Sequence, residues 1–370
     1  MRVLVDATAI PANRGGVGRY VDELLPALAR HGVDLVVACQ ARDAATTSAL
    51  VPGAEVVAAP AGAARRPARL AWEQTGLPAL ARRVRADVLH SPHYTMPLAP
   101  GVPVTVTLHD ATFFSHPELH LGAKGRFFRT ATRHAVRRAS SLVVPSAATR
   151  DEVLRFAGGD ASQFVVAHHG VDTARFHPVD DAERHRVAAS LGLTGPYVAF
   201  LGTLEPRKNV PALVRGWVEA VRDLPEPPAL VLAGGRGWDE RIDEAVAGVP
   251  DGLTLLRPGY LPFDDLAGLL GGARVVAYPS LGEGFGLPVL EAMACGAAVL
   301  TTRELSLPEV GGDAVEYCGT SAEGIAAALR DLLADAARRE QLGRAAAVRA
   351  AGFTWDAAAA AHVRAYEAAC

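Results

Sequence analysis

"PYVAFLGTLEPRKNVPALVRGWVEAV", residues 196–221, reads as a buried strand, a polar turn and a helix. An apolar run without alternation fits a strand covered on both faces, as in a parallel sheet. Asn209 stands where it would cap the helix "VPALVRGWVEAV". The same rhythm precedes it in "VLVDATAI", "DLVVACQ", "VTVTLHD" and "SLVVPS", and follows it in "ALVLAGG", "LTLLRPG", "RVVAYPS" and "AAVLTT". Strands alternating with helix-length segments mark βαβ units. A fresh start in mid-chain predicts a second sheet. The chain is therefore expected to be α/β, with Rossmann-like domains over 1–178 and 179–354. They would join near "RFHPVDDAERHR", where a proline and an acidic cluster interrupt the pattern. The stretch "DAAAAAHVRAYEAAC" is helical and could pack on either domain.

The length of 370 residues suits two domains of ordinary size. Half the residues are hydrophobic and 21% are charged, a globular composition. A net charge of −3 argues against general nucleic-acid binding. The charge is uneven: 20 basic against 14 acidic residues in 1–178, and 17 against 26 thereafter. That asymmetry either turns the first domain toward something anionic or is drift on two exposed surfaces. Cys39, Cys295, Cys318 and Cys370 are scattered without zinc-ligand or disulfide-framework spacing. Apolar runs fall short of the ~18 residues that span a bilayer, and the start lacks a signal-peptide pattern. A cytoplasmic protein is the expectation.

"GEGFGLPVLEAMACG", residues 282–296, lies between two strand-like runs, so it leaves the carboxyl end of a parallel strand and opens a helix. Open α/β sheets bind ligands there. Pro288 suits the helix start and Gly296 its stop. The N–H groups of Leu287, Val289 and Leu290 are expected to point out of the helix N-terminus, where a phosphate is favoured. Glu291 is expected in the first turn of this helix, and Glu283 in the loop ahead. As acceptor-only groups they suit a ligand rich in hydroxyls. The plain alternative is dipole complementarity for Glu291 and a solvated loop charge for Glu283. Arg207 and Lys208 stand at the carboxyl end of the opening strand, where a planar fork and a point charge would bind a pyrophosphate. In the first domain, "NRGGVGRYVDELL" (13–25) places Gly15, Gly16 and Gly18 at another helix start. It lacks the G-x-G-x-x-G spacing of a dinucleotide site. "VTLHDATFF" puts His109 and Asp110 at the end of a buried strand, where the pair would position a hydroxyl or simply tie a loop.

Together these segments resemble the retaining glycosyltransferases of family four, whose GT-B architecture is two facing Rossmann-like domains with a cleft between them. "GEGFGLPVLEAMACGAAVLTT" is similar to the family's E-x7-E signature, "GTLEPRKN" to its phosphate loop, "HHGVDTARFHP" to its domain junction and "RGGVGRY" to its N-terminal glycine loop. The resemblance implies that Glu283 and the backbone of Phe285, Gly286 and Leu287 hold the donor sugar. Glu291 would take the ribose, Arg207 and Lys208 the diphosphate, Gly16 a phosphate oxygen, and His109 the side of the transferred sugar. Asn13, Arg14 and Asp110 would face the acceptor, and a final helix, about 355–370, would cross back onto the first domain. Thr203 stands where many relatives carry Arg, and "SLPEV" is preceded by an unusual "TTREL".

The implied reaction needs no protein nucleophile. The departing phosphate oxygen takes the acceptor's proton, while Arg207, Lys208, Glu283 and His109 stabilise and orient. No D-x-D occurs, so neither a metal nor another cofactor is expected. A glycosidase would also use two carboxylates but has no use for the Arg-Lys loop. A sugar-nucleotide epimerase or phosphorylase on the same fold competes with transfer as a reading, and so does an inactive nucleotide-sugar-binding subunit. "LHDATFFSHPELH" is most similar to enzymes that move mannose or related hexoses onto bacterial polysaccharides and glycolipids, which makes GDP-mannose the first donor to expect. The acceptor is a glycan, glycolipid or small-molecule hydroxyl. Basic segments at 65–69 and 124–138 either cover their sheet or lie on an anionic membrane surface.

Overall fold

In the computed structural model the described residues, 1–12 and 14–370, form two units: Met1–Gly170 with Thr354–Cys370, and Val171–Phe353. Among them are thirteen strands in two sheets. The first unit holds β1 (Arg2–Asp6), β2 (Asp34–Cys39), β3 (Glu55–Ala58), β4 (Val88–Ser91), β5 (Val104–Thr107), β6 (Ser141–Val144) and β7 (Phe164–Val166), in the order β3-β2-β1-β4-β5-β6-β7. The second holds β8 (Tyr197–Leu201), β9 (Ala229–Ala233), β10 (Leu255–Gly259), β11 (Val275–Tyr278), β12 (Val299–Thr302) and β13 (Glu316–Cys318), in the order β10-β9-β8-β11-β12-β13. Every pairing is parallel.

Both sheets are covered on both faces, which is why their strands read as continuous apolar runs. Along β1, Val3 and Val5 enter one core and Leu4 the other, because successive side chains point to opposite faces. Six helices position the chemistry: α1 (Gly16–Arg30), α2 (Arg66–Arg83), α3 (Gly122–Arg138), α4 (Val210–Val221), α5 (Leu287–Ala294) and α6 (Trp355–Ala369). Helix α1 buries Tyr20, Val21, Leu24, Leu25 and Leu28, a stripe at helical spacing. Helix α6 returns to the first unit and packs beside α1 through Trp355, Ala358, Ala359 and Tyr366. At Gly170 a β-carbon would collide with the backbone of Thr354 and Trp355, so only glycine lets the returning chain lie this close.

The division falls at 170/171, eight residues before the expected 178/179, and again at 353/354. Burial is the reason. Val171 and Phe176 belong to the core of the second unit, and the Val171 N–H donates to the Phe353 carbonyl at 3.0 Å. Pro178 and the acidic cluster mark the start of the next helix rather than the boundary itself. No helix among the described residues is long and apolar enough to cross a membrane.

Candidate active site

In the second unit β8 and β11 are neighbours from which the chain winds in opposite directions, to β9 on one side and β12 on the other. The loops leaving their carboxyl ends therefore diverge and leave a crevice, the switch point of an open sheet. One loop carries Arg207 and Lys208, the other Glu283. The loops are stitched together by the Leu281 N–H, which donates to the Arg207 carbonyl at 2.8 Å.

Glu283 is the centre of this arrangement. Its Oε1 accepts from Lys208 Nζ at 2.7 Å and from the Ser280 hydroxyl at 2.6 Å, and its Oε2 accepts from Arg207 Nη1. Arg207 Nη1 also donates to the Gly282 carbonyl at 2.8 Å, and Lys208 Nζ donates to the Tyr278 hydroxyl while lying over its ring. Burial alone would raise the Glu283 carboxyl. The Arg207 and Lys208 cations and the hydrogen bonds outweigh it and hold the group at about 2. Lys208 is lowered by burial and by Arg207, against the pull of Glu283.

Two consequences correct the sequence reading. A carboxylate offers about four lone-pair sites and three are occupied, so Glu283 has room for about one further donor rather than a grip on several hydroxyls. It also neutralises one of the two cations, and Glu205, 3.7 Å from Arg207 Nη2, offsets the other, so the four side chains sum to about zero net charge. A carboxyl held this low cannot serve as the general acid of a glycosidase.

The helix ends differ from expectation as well. The N–H groups of Val289 and Leu290 both bond back to the Gly286 carbonyl, at 3.0 and 3.1 Å, and are not offered to a ligand. Among the described residues the N–H groups of Gly286 and Leu287 take no hydrogen-bond partner. Gly286 has φ +104°, which sharpens this turn, and a β-carbon there would press on Leu307 at 3.0 Å. Glu291 is the fifth residue of α5, one place beyond the first turn, and is buried. Phe285 is buried too, its carbonyl held by Ser306. Asn209 makes no cap to α4. It sits in the left-handed region at φ 57° and its Nδ2 donates to the Thr320 carbonyl at 2.8 Å.

The first unit gathers its own candidate residues at the carboxyl ends of β1, β4 and β5. Gly15 caps α1 and Gly16 opens it; β-carbons there would meet nothing within 4 Å among the described residues, so packing does not demand glycine. Open space is what a ligand at this helix start requires. His109 Nε2 is 2.7 Å from the Pro92 carbonyl, and because a carbonyl only accepts, Nε2 carries the proton. Burial lowers the imidazole, against the Pro92 bond and Asp110. A neutral His109 thus keeps the Nδ1 lone pair for a ligand.

Two of the three expected acceptor residues make bonds within the first unit. Arg14 pairs with Asp22 at 3.3 Å and with Asp43 at 3.5 Å. Asp110 Oδ1 accepts from the N–H and hydroxyl of Thr112, at 3.2 and 3.1 Å, and its own N–H donates to the Tyr94 hydroxyl at 2.9 Å. These are turn-forming bonds, so Asp110 ties the loop after β5 and makes no hydrogen-bonded pair with His109. Asn13 lies outside the described residues. Of the arginines in the basic segment 124–138, Arg129 turns inward to the Phe113 carbonyl at 2.8 Å and Arg133 lies over Phe114, while Arg126, Arg133 and Arg137 are all exposed.

Sequence reasoning missed three residues that build the site. Ser280 and Tyr278 close the bonding around Glu283 and Lys208. The Ser306 hydroxyl reaches the carbonyls of Glu283 at 2.7 Å and Phe285 at 2.9 Å, fastening the loop ahead of α5. "SLPEV" begins with this serine. Its distance of 23 residues from Glu283 hid the contact.

Two family descriptions match the chain, "Glycosyltransferase Family 4" over residues 14–175 and "Glycosyl transferases group 1" over residues 195–335. It is 30% identical to the O-antigen chain mannosyltransferase B of Escherichia coli, over 81% of this chain and 77% of that protein. The chain belongs to glycosyltransferase family 4. It is also 31% identical to the D-inositol 3-phosphate glycosyltransferase of Kineococcus radiotolerans, over 95% of this chain and 90% of that one. The crystal structure of Anabaena HepE in complex with UDP and glucose shares the fold, with a TM-score of 0.75, 19% identity and 98% of each chain covered. The two parallel-sheet units are those of the GT-B architecture.

Proposed function

We propose that this glycosyltransferase moves a hexose, mannose from GDP-mannose, to a hydroxyl of a glycan, glycolipid or small-molecule acceptor, with retention and without a metal. The observation that carries the reading is the buried, ionised Glu283 holding Arg207 and Lys208 at the switch point of the second unit. A cation about 4 Å from one phosphate charge is worth roughly 4 kcal/mol at an effective dielectric of ~20, and Glu205 and Glu283 offset part of that for Arg207 and Lys208. The N–H groups of Gly286 and Leu287 add fixed dipoles to the same anion. As the bond from the anomeric carbon to the phosphate oxygen breaks, the acceptor oxygen bonds to that carbon on the same face. Its proton passes to the departing phosphate oxygen.

Glu283 then accepts one sugar hydroxyl and fixes both cations, Glu291 takes the ribose, and the Phe285–Leu287 backbone lies along the sugar. Gly16 approaches a phosphate oxygen, and the His109 Nδ1 lone pair receives a hydroxyl of the transferred sugar. Mannose is supported by the name of the Escherichia coli relative; the complex of HepE with UDP and glucose supports a nucleoside diphosphate leaving group. The test is nucleoside diphosphate release across GDP-mannose, UDP-glucose, UDP-galactose and ADP-glucose, with and without chelator. GDP-mannose is expected to be turned over fastest, with no loss in EDTA. An epimer formed from donor alone, or a requirement for orthophosphate, would replace transfer by one of the rival reactions.

Contact with an anionic membrane through 65–69 and 124–138 belongs to the same reading. Arg65, Arg66, Lys124, Arg126, Arg137 and Arg138 are exposed, and Leu121 beside them is 53% exposed. Co-sedimentation with anionic vesicles at low salt, lost at moderate salt, is the expected result. Equal recovery with neutral vesicles would contradict it.

A further inference from the structure

A chain of five wholly buried polar side chains runs through the first unit from α6 to β5 and α1: Tyr366, His90, Thr107, Tyr20 and His362. Its links are Tyr366 Oη to His90 Nδ1 at 2.9 Å, His90 Nε2 to Thr107 Oγ1 at 2.8 Å, Thr107 Oγ1 to Tyr20 Oη at 3.0 Å, and Tyr20 Oη to His362 Nε2 at 2.7 Å. His362 Nδ1 ends the chain on the Ala358 carbonyl at 2.7 Å.

The end fixes every proton. A carbonyl only accepts, so His362 Nδ1 donates and, in a neutral ring, Nε2 accepts from the Tyr20 hydroxyl. Tyr20 has one hydroxyl proton, so its oxygen takes the proton of Thr107. Thr107 then accepts from His90 Nε2–H, and His90 Nδ1 accepts from Tyr366. Burial lowers both imidazoles, His362 to about 4 and His90 well below its ordinary value, which keeps them neutral. Each member uses its protons once and none is left over.

The chain bears on the site through Tyr20. Its ring meets the His109 imidazole edge-on, with centroids 4.8 Å apart and planes at 81°. Thr107, which anchors the Tyr20 hydroxyl, ends β5 two residues before His109. Tyr20 is also the fifth residue of α1, the helix that Gly16 opens. We propose that Tyr20 is the positioning residue of His109, its ring fixing the imidazole and its hydroxyl fixed in turn by Thr107 and by His362 of the C-terminal helix. The inference rests on the reading that His109 contacts the transferred sugar.

The test uses the full chain and reads nucleoside diphosphate release, with water as acceptor, from whichever donor of the panel the wild type turns over fastest. Tyr20→Phe keeps the ring and removes the hydroxyl. It is expected to lower kcat about tenfold with donor KM within twofold, since the imidazole loses its alignment while the diphosphate contacts stay. His362→Gln, which restores an acceptor to Tyr20, is expected to retain most of the rate, and His362→Leu to match Tyr20→Phe. In a His109→Ala background, Tyr20→Phe is expected to change nothing further. A wild-type kcat in Tyr20→Phe, or the same tenfold loss when His109 is already gone, would overturn the proposal. A full rate in His109→Ala would instead overturn the functional reading beneath it. Should His362→Leu not fold, Tyr20→Phe decides alone. Side-chain 15N spectra are then expected to show His109 as the Nε2–H form in wild type and as mixed tautomers in the variant; an unchanged spectrum counts against positioning.

Discussion

Glu283 shows what a buried charge does when its partners are fixed. The sequence offered two carboxylates and two cations as candidate groups, and those residue types were legible from their places after strands. That Glu283 would bond Arg207 and Lys208, 76 and 75 residues away, was not, because strand order sets the pairing and local spacing does not. Glu283→Gln leaves two cations in the crevice with their countercharge gone. Breaking a buried pair costs roughly 3 kcal/mol, so a fall in melting temperature of the second unit is expected along with activity, by calorimetry. Arg207→Lys should lower kcat about tenfold even though charge is kept, since Nη1 serves the Gly282 carbonyl and Glu283 while Nη2 lies toward Glu205, a spread that a single ammonium nitrogen cannot reproduce. Steady-state rates of that variant check it. Because the folded Glu283 carboxyl stands near 2, below the ordinary 4.5, its contribution to stability is complete above pH 4.5 and is lost as the pH falls toward 2.

At the scale of elements, strands were easier to read than helix ends. The apolar runs of β1, β5, β8 and β11 each found a place in a two-faced core, as their composition implied. Caps failed where a side chain had a better bond at a distance: Asn209 reaches Thr320 instead of the end of α4, and Val289 and Leu290 close a turn on Gly286. Helix α6 was legible as a helix but not as a partner of α1, since five alanines in a row carry little information about what they touch. Its burial of His362 makes the first unit acid-sensitive. His362 titrates at about 4 in the folded unit and near 6.5 when unfolded, so the unfolded form binds the extra proton first. Stability is therefore complete above about pH 6.5 and falls as the pH drops toward 4. Melting temperature against pH should slope down over that window, and His362→Gln should make the slope shallower, the rest coming from the other buried histidines His90, His93, His109 and His169.

For the whole molecule, the fold class and the presence of two sheets followed from one restart of the βαβ rhythm at residue 196. The strand orders, with their switch points at β1/β4 and β8/β11, explain why residues from distant loops gather at one edge of each sheet. The boundary shifted by eight residues because Val171 and Phe176 are core residues of the second unit, a matter of packing that a proline signal does not report. Two units with separate cores and different acid windows predict that acid acts on the first unit before the second: the loss between pH 6.5 and 4 belongs to the histidines, and that below 4.5 to Glu283. Calorimetric transitions assigned through variants of each unit would show it.

The central claim is that the cations set by Glu283 at the β8/β11 edge hold and stabilise a nucleoside diphosphate leaving group. It is tested most directly by the single-turnover rate of Lys208→Ala on the donor that the wild type prefers. A fall of about 100-fold or more, with folding intact, is the predicted result; a rate within twofold of wild type would contradict it.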